Sequence, residues 1–594
     1  MRKINYIFVA LLLAMGVSSC KQDFLDRQPK DSLADTPDTW QSEQLIELYT
    51  NDWFPSFFTG FPDASEFSDD GVQRGRQGNF GRAVPTSAGW SMWLVRSINL
   101  MLDRMKEYSE GHISPSAYKH WEGVARMYRG QEYSDLTFRY GDVPYYDREI
   151  LSTELDELYK PRDPRNMVMD KVEEDFRFAL ENIRGGKSTN NQITRDVAGA
   201  LISRTALEEG TFQKYYYKDT ERAKKFLTLA VDAAEIVINS GRYGIVMDFR
   251  SLYTTDDLST SREVILHKAY SVETGVLHSR GHYSNPKNTI NYGGNTDLMK
   301  AFICVDGETW NHSSVEGAKS FDMKDVITSR DSRFEATFFH EPREQAFASL
   351  LFPVKFMSRA VLKQILETGT VPSEWDGTKQ VTDYPTLRYS EVLLNWIEAK
   401  AELATLGGPA VTQEDIDKSI NAIRKRPLAK EAIERGVKQT KAMELTNLPE
   451  DPNRDPMVPQ LLWEIRRERR MEFAFEGYRY TDLKRWGKFE YMDTDKNPDL
   501  LSGAWVDFTG DYKKLLKKDV MVVKSDGKEV EYDGKNTADM IGFYKETKTE
   551  GRLPFTNLVN VNIYLSPVGK TQMDDYERRG YHLQQTEGWP QNNK

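Results

Sequence analysis

His278 and His282 stand four residues apart, the spacing with which one face of a helix offers two imidazoles to zinc. The residue after His278 is Ser279 rather than a general-base glutamate, and Gly281 undermines the helix that would align the rings. No zinc site is expected there. Gly185-Gly186-Lys187-Ser188 has the ending of a phosphate-binding loop, but Glu181 occupies the place of its first glycine. There is no Gly-x-Ser-x-Gly elbow, and nothing flanking Cys304 would activate its thiol. The densest charge cluster runs from Glu464 to Glu472, with Glu464, Glu468 and Glu472 on one helical face and Arg466, Arg467, Arg469 and Arg470 between them. Arginines three and four residues away are expected to pair with these carboxylates, making a fold-specifying ion-pair network rather than an acid/base pair. The chain thus reads as a binding protein, not an enzyme, with no metal or other cofactor.

Recognition chemistry is better represented. The loop from Asp69 to Trp90 carries Gly71, Gly75, Gly78 and Gly81, the arginines Arg74, Arg76 and Arg82, and the rings of Phe80 and Trp90. A second loop, His278 to Gly294, holds His282, Tyr283 and Tyr292 among Asn, Ser and Gly, with Trp310 shortly after. Exposed aromatic faces pack against the C–H faces of sugar rings while Arg and Asn hydrogen-bond the hydroxyls. The candidate ligand-binding residues are therefore Arg74, Arg76, Phe80, Trp90, His282, Tyr283, Tyr292 and Trp310. Any one of these rings could equally plug a gap between helices. The arginines of the first loop suit an anionic sugar. The same loops would also suit an extended peptide backbone. Trp93, spaced with Ser97 and Leu100, is assigned to the core.

These loops need a rigid support, and helical periodicity supplies one. It recurs from near Asp38 and at 92–108, 115–139, 164–184, 194–211, 220–240, 389–406 and 459–475. In the segment from Thr220, Ala223, Phe226, Leu227, Ala230, Ala234 and Val237 share a face on which the alanines admit a close neighbour. Antiparallel helix pairs rich in small residues predict tetratricopeptide-type units. Between 241 and 385 the pattern breaks into short β-prone pieces among Gly, Ser, Asn and Pro, and 488–594 is again loop-rich and polar. The expected fold is mainly α, a tetratricopeptide-like repeat scaffold with an irregular, loop-rich part packed on it. The expected organisation is one body over 38–594, helical at 38–240 and 386–487 and irregular at 241–385 and 488–594.

The amino terminus addresses the chain. Arg2 and Lys3 precede the apolar stretch Tyr6 to Met15 and the small residues Gly16 to Ser19, which end at Cys20. That is a signal peptide over 1–19, too short in its apolar part to span a bilayer. Val-Ser-Ser-Cys resembles a lipobox, making Cys20 the lipidated first residue of the mature chain, palmitate being one such acyl group. Residues 20–37 read as a polar tether, and the body is held to the membrane by its lipid alone. With Cys20 acylated, Cys304 has no partner for a disulfide. The net charge of -11 becomes more negative once Arg2 and Lys3 are removed, which disfavours nucleic acid as a partner. A hydrophobic fraction of 39%, with 12% aromatics, is enough for a large core.

Several segments carry a resemblance to a known family. They are Cys20 to Asp26 (CKQDFLD), Tyr133 to Leu136 (YSDL) with Tyr140 to Tyr145 (YGDVPY), Tyr384 to Ala399 (YPTLRYSEVLLNWIEA) and Glu468 to Gly487 (ERRMEFAFEGYRYTDLKRWG). On these the chain resembles the SusD/RagB family of surface glycan-binding lipoproteins, from Cys20 to the carboxyl end. The resemblance implies the same helical body, an outer-membrane lipoprotein facing the cell exterior, and partnership with a SusC-like TonB-dependent transporter. It implies capture of an oligosaccharide or polysaccharide for import, or, as in RagB-type members, of peptides. Family binding sites lie in the regions where the two aromatic loops fall, although no binding motif aligns residue by residue.

Overall fold

The computed structural model describes residues 35–62, 68–75, 83–552 and 561–591. The signal segment, Cys20 and most of the tether lie outside the described residues, as do Arg76 and Phe80. After short helices at Pro37–Trp40 and Glu43–Asn51, the longest helices are α1 (Trp93–Tyr108), α2 (Pro115–Tyr140), α3 (Arg165–Asn182), α4 (Arg195–Phe212) and α5 (Thr220–Ile238). Later come α6 (Tyr389–Thr405), α7 (Gln460–Phe473) and the shorter α8 (Tyr478–Arg485). The chain is mainly helical, and among the described residues no helix is long and apolar enough to cross a membrane.

Side-chain size sets the helix pairing. On α5, the alanines and Phe226, Leu227 and Val237 are all buried, as their period predicts. Opposite them stand two glycines of α4. A Cβ at Gly199 would lie 2.8 Å from the carbonyl oxygen of Ala233, and one at Gly210 would lie 2.9 Å from the amide nitrogen of Leu227. The backbones of α4 and α5 approach so closely that no side chain fits between them. Gly130 plays the same part on α2, where Phe176 of α3 fills the space of a Cβ. Asp219 starts α5 by accepting the Arg222 amide at 3.0 Å, and α6 closes the array, its Trp396 indole donating to Glu235 of α5 at 3.1 Å. Trp93 departs from expectation. It is 54% exposed, because the buried face of α1 runs through Val95, Ile98, Met101 and Met105 and leaves the Trp93, Ser97 and Leu100 row on its flank.

A second hydrophobic cluster joins residues 249–384 to Met471, Ala474 and Phe475 and then to 504–544. The two loop-rich stretches therefore share one core. Within it lies an antiparallel four-stranded sheet of order β5-β8-β6-β7, where β5 is Trp505–Asp507, β6 Val520–Val523, β7 Glu529–Glu531 and β8 Ile541–Glu546. The β6–β7 hairpin turns at Asp526-Gly527, with Gly527 at φ +83° and the Lys524 amide bonded to the Lys528 carbonyl at 2.9 Å. Earlier strands form two ribbons, β1 (Gly71–Gln73) with β3 (Tyr292–Gly294) and β2 (Val264–Lys268) with β4 (Tyr384–Arg388). Cys304 is buried with a free thiol.

Helix α7 lies between the clusters, and its charges are buried. Glu464, Glu468 and Glu472 are each 0% exposed. The expectation that neighbouring arginines neutralise them holds only for Glu464, which takes Arg467 at 2.9 Å. Glu468 binds Arg424 at 2.9 Å and also Arg333. Glu472 accepts from Arg333 and Arg426, each at 3.0 Å, and from Arg388. The arginines of α7 reach the other way: Arg466 to Glu402 at 3.0 Å, Arg469 to Asp482 at 2.8 Å and Arg470 to Asp297 at 2.7 Å. Apart from the Glu464–Arg467 pair, carboxylates and arginines leave the helix in different directions, so each of the others finds its partner on another element.

Two outcomes follow from this pairing. Replacing Glu472 by Gln would remove the one carboxylate that Arg333, Arg388 and Arg426 share, leaving Asp331 and Glu468 to the first, Glu476 to the second and Glu263 to the third. Denaturant unfolding of the Glu472→Gln variant should show a loss of about 3–5 kcal/mol. The second outcome concerns acid. Burial would raise the Glu398 carboxyl, but Arg485 at 2.7 Å overrides it and holds the group down at about 2. Glu335, buried and bonded to Arg359, is likewise held at about 2. Groups depressed in the folded state stabilise it above their unfolded value near 4.5 and lose that contribution as pH falls through about 2. Thermal melts followed by circular dichroism should show the midpoint dropping steadily from about pH 4.5 towards 2.

Candidate functional site

The ribbon β1–β3 brings the two aromatic loops together. Its register pairs Gly71 with Gly294, Val72 with Gly293 and Gln73 with Tyr292. One further bond, from the Arg74 amide to the Asn291 carbonyl at 3.0 Å, extends it. Glycines are required on β3 because the ribbon lies flat on the second core. A Cβ at Gly293 would stand 2.1 Å from Ser349 Oγ and 2.8 Å from the Leu351 carbonyl, and one at Gly294 would meet Phe338 at 2.5 Å.

The start of β1 is fixed by charge. Asp69 and Asp70 are buried; the Asp69 carboxylate takes both arms of the Arg479 guanidinium at 2.7 Å, and Asp70 takes Arg470. Asn295 completes the clamp by donating to the Asp69 carbonyl at 2.9 Å. The first loop, glycine-rich and polar in sequence, is thus anchored on α7 and α8.

Beside the ribbon opens a cleft of about 830 Å3, lined by Phe61, Tyr270, Tyr283, Tyr292 and Phe347 with Gln73, His278, Ser279, Arg280, Thr289, Asn291 and Thr378 around them. Its volume lies within the usual range for small-molecule sites. Phe61 is central, its ring centroid 4.4 Å from that of His278, 4.8 Å from Tyr384 and 5.6 Å from Phe356. His278 bonds through Nε2 to Thr382, and burial pushes its ring down to about 4, so it is neutral near pH 7. The Arg280 guanidinium lies 4.1 Å over the Phe356 ring. Aromatic faces with hydroxyl, amide and guanidinium groups at their edges can hold a polyhydroxylated ring by stacking and hydrogen bonds.

The candidate residues divide. Tyr283, 42% exposed, and Tyr292 line this cleft, whereas Arg74 lines a neighbouring recess that shares Phe347 with it, its guanidinium 5.2 Å over the Phe347 ring and 3.4 Å from Glu546. His282 lies behind Tyr283, and its Nδ1 is within 3.0 Å of both Asp376 Oδ1 and the Gly377 amide. His278 and His282 therefore serve different partners. Trp90 is not brought here. It is only 9% exposed and packs edge-on to Tyr140 at 5.5 Å, held by Gln572, which accepts its amide at 3.1 Å. Trp310 is carried away by the helix Thr296–Ala301, which Asn295 caps at 2.9 Å, and lines a separate cavity. Phe61, Tyr270 and Phe347 were missed, because each stands outside the two loops and only the tertiary fold delivers it.

A family model described as the SusD family matches residues 262–589. SusD-like protein P2 of Formosa agariphila is 24% identical over 373 residues, which cover 60% of this chain. The match spans 63% of that relative, less than two thirds of its length. A SusD-like carbohydrate-binding protein of Bacteroides fragilis superposes with a TM-score of 0.58 at 15% identity, covering 90% of this chain and 98% of its own. Another SusD-like protein of that organism gives 0.56 at 19%, covering 95% and 100%. At these identities the solved structures speak for the fold.

The ribbon's packing is testable without a ligand. Gly293→Ala should cost roughly 1–3 kcal/mol of stability by overpacking against Ser349 and Leu351. Gly185→Ala, where a Cβ meets nothing within 4 Å, should stay within about 0.5 kcal/mol in the same urea titration.

Proposed function

The chain belongs to the SusD family, and from that premise we propose that it captures oligosaccharides without cleaving them and delivers them to a SusC-like TonB-dependent transporter. The observation that carries this reading is the aromatic cleft held open by the β1–β3 ribbon, which puts Tyr283 and Tyr292 in one recess with Phe61 and Phe347. The carbohydrate-binding description of the B. fragilis neighbour supports the ligand class. In this reading the acyl group on Cys20 holds the protein at the outer face of the outer membrane, and the residues up to 37 give it reach towards its transporter. Arg74 and the described cleft residues Tyr283 and Tyr292 contact the sugar; Arg76 and Phe80, from the same loop as Arg74, join them.

Isothermal calorimetry against neutral and acidic polysaccharides tests the proposal. Saturable binding to at least one glycan is expected, and Tyr283→Ala should weaken it about tenfold, the worth of one stacked ring. The variant should melt with wild-type stability, since Tyr283 is 42% exposed. Binding of defined peptides with no affinity for any glycan would overturn the ligand class. Release of reducing ends on long incubation would overturn the non-catalytic part.

A further inference from the structure

The clamp on Asp69 has a second side. Where the cleft opens at the Gln73 and Tyr292 end of the ribbon, a separate cavity of about 630 Å3 opens at the Asp69 and Asp297 end, walled by α7, α8 and the segments around 451–456 and 490–499. None of its lining residues lines the first cleft.

Three rings line it, and the polar groups of Trp463 and Tyr491 are engaged. The Trp463 indole donates to Asp451 at 2.9 Å and the Tyr491 hydroxyl to Asp455 at 2.7 Å, with the two rings 6.3 Å apart. Trp310 meets Phe321 edge-on at 4.9 Å and has the Lys300 ammonium 5.8 Å from its ring. Fixed, partly buried rings at a cavity wall lose little entropy when a ligand packs on them.

The charges then select the ligand. Six carboxylates and seven cationic side chains line the cavity. Most are engaged with one another, Lys300 with Asp499 at 2.6 Å and Lys488 with Asp455 at 2.7 Å, while Arg454 donates to the Val458 carbonyl at 2.6 Å and Lys496 pairs with Asp493 beyond the lining at 3.4 Å. A ligand bearing net charge meets almost no net field and, except at Arg454 and Lys496, must break a pair within the cavity to gain a partner. A neutral polyol does not, because its hydroxyls donate to carboxylate lone pairs and accept from ammonium hydrogens that the pairs leave over. Lys300, with three N–H donors, gives one to Asp499.

We propose that this cavity is a second saccharide site, selective for neutral sugar units, with Trp310 and Trp463 as its stacking surfaces and Lys300, Asp499 and Arg454 at the hydroxyls. It acts independently of the ribbon cleft and does not require that the cleft bind sugar.

The test uses the full chain and a panel of neutral oligosaccharides: maltoheptaose, cellohexaose, laminarihexaose, mannohexaose and xylohexaose. Calorimetry and tryptophan fluorescence are read on wild type, on the cleft double variant Tyr283→Ala/Asn291→Ala, and on Trp310→Ala. The expected result is a panel member that binds the cleft variant within about threefold of its wild-type site affinity and loses about tenfold or more in Trp310→Ala. Should Trp310→Ala fail to fold, Arg454→Gln carries the same expectation. Binding abolished by the cleft variant and untouched by Trp310→Ala would overturn the second site while leaving capture in the cleft intact. Failure of wild type to bind any neutral member would also overturn it, whereas the capture reading would fall only if acidic glycans were refused as well. A Trp310-dependent affinity for charged peptides in place of sugars would overturn the assigned class.

Discussion

Everything else in this molecule depends on the neutralisation of α7. A helix with three carboxylates and four arginines has no reason to enter a protein interior unless each charge finds a partner there, since an unpaired buried ion costs several kcal/mol. Here the partners come from elements far apart in sequence. Arg333, Arg388, Arg424 and Arg426 converge on Glu468 and Glu472, while Glu402, Asp482 and Asp297 receive the outgoing arginines. Because the partners belong both to the helical array and to the second core, the pairing ties the two into one arrangement. Apolar contacts would hold them together with less demand on geometry.

The ribbon cleft inherits that arrangement. Arg470 of α7 and Arg479 of α8 grip Asp70 and Asp69, immediately before β1. The ribbon begins at a fixed point, and its glycines let it lie on Ser349, Leu351 and Phe338. The rings of the cleft are then positioned by a scaffold and not by their own loops. A site ordered before its ligand arrives loses less affinity to ordering.

How much of this is legible in sequence varies with the physical origin of each feature. The long helices are, because a buried face imposes its period locally, and α5 shows its Ala, Phe, Leu and Val row as read. The two loops are visible as a concentration of glycine, arginine and aromatic residues. Which ring faces solvent is not, because that depends on neighbours: Trp90 is covered by Tyr140 and Gln572, while Trp93, three residues on, stands exposed. The partners of Glu468 and Glu472 are likewise hidden, since Arg333 is more than 130 residues away. The β6–β7 hairpin has a local signal in Asp526-Gly527, but its strands, Val-Met-Val-Val and Glu-Val-Glu, are too short to show a sustained alternation. Trp310 shows a subtler limit. It follows the second loop closely in sequence, yet one capped turn of helix sends it to a different cavity.

In the proposed capture, a glycan enters the cleft that the β1–β3 ribbon holds open. Amide hydrogen exchange, compared with and without the glycan that calorimetry finds to bind, tests it most directly. Slowed exchange is expected across residues 71–74 and 289–294, which form the ribbon and the cleft wall, with α2 and α3 unchanged. Slowing confined to other parts of the chain, with the ribbon amides unaffected at saturating glycan, would contradict it.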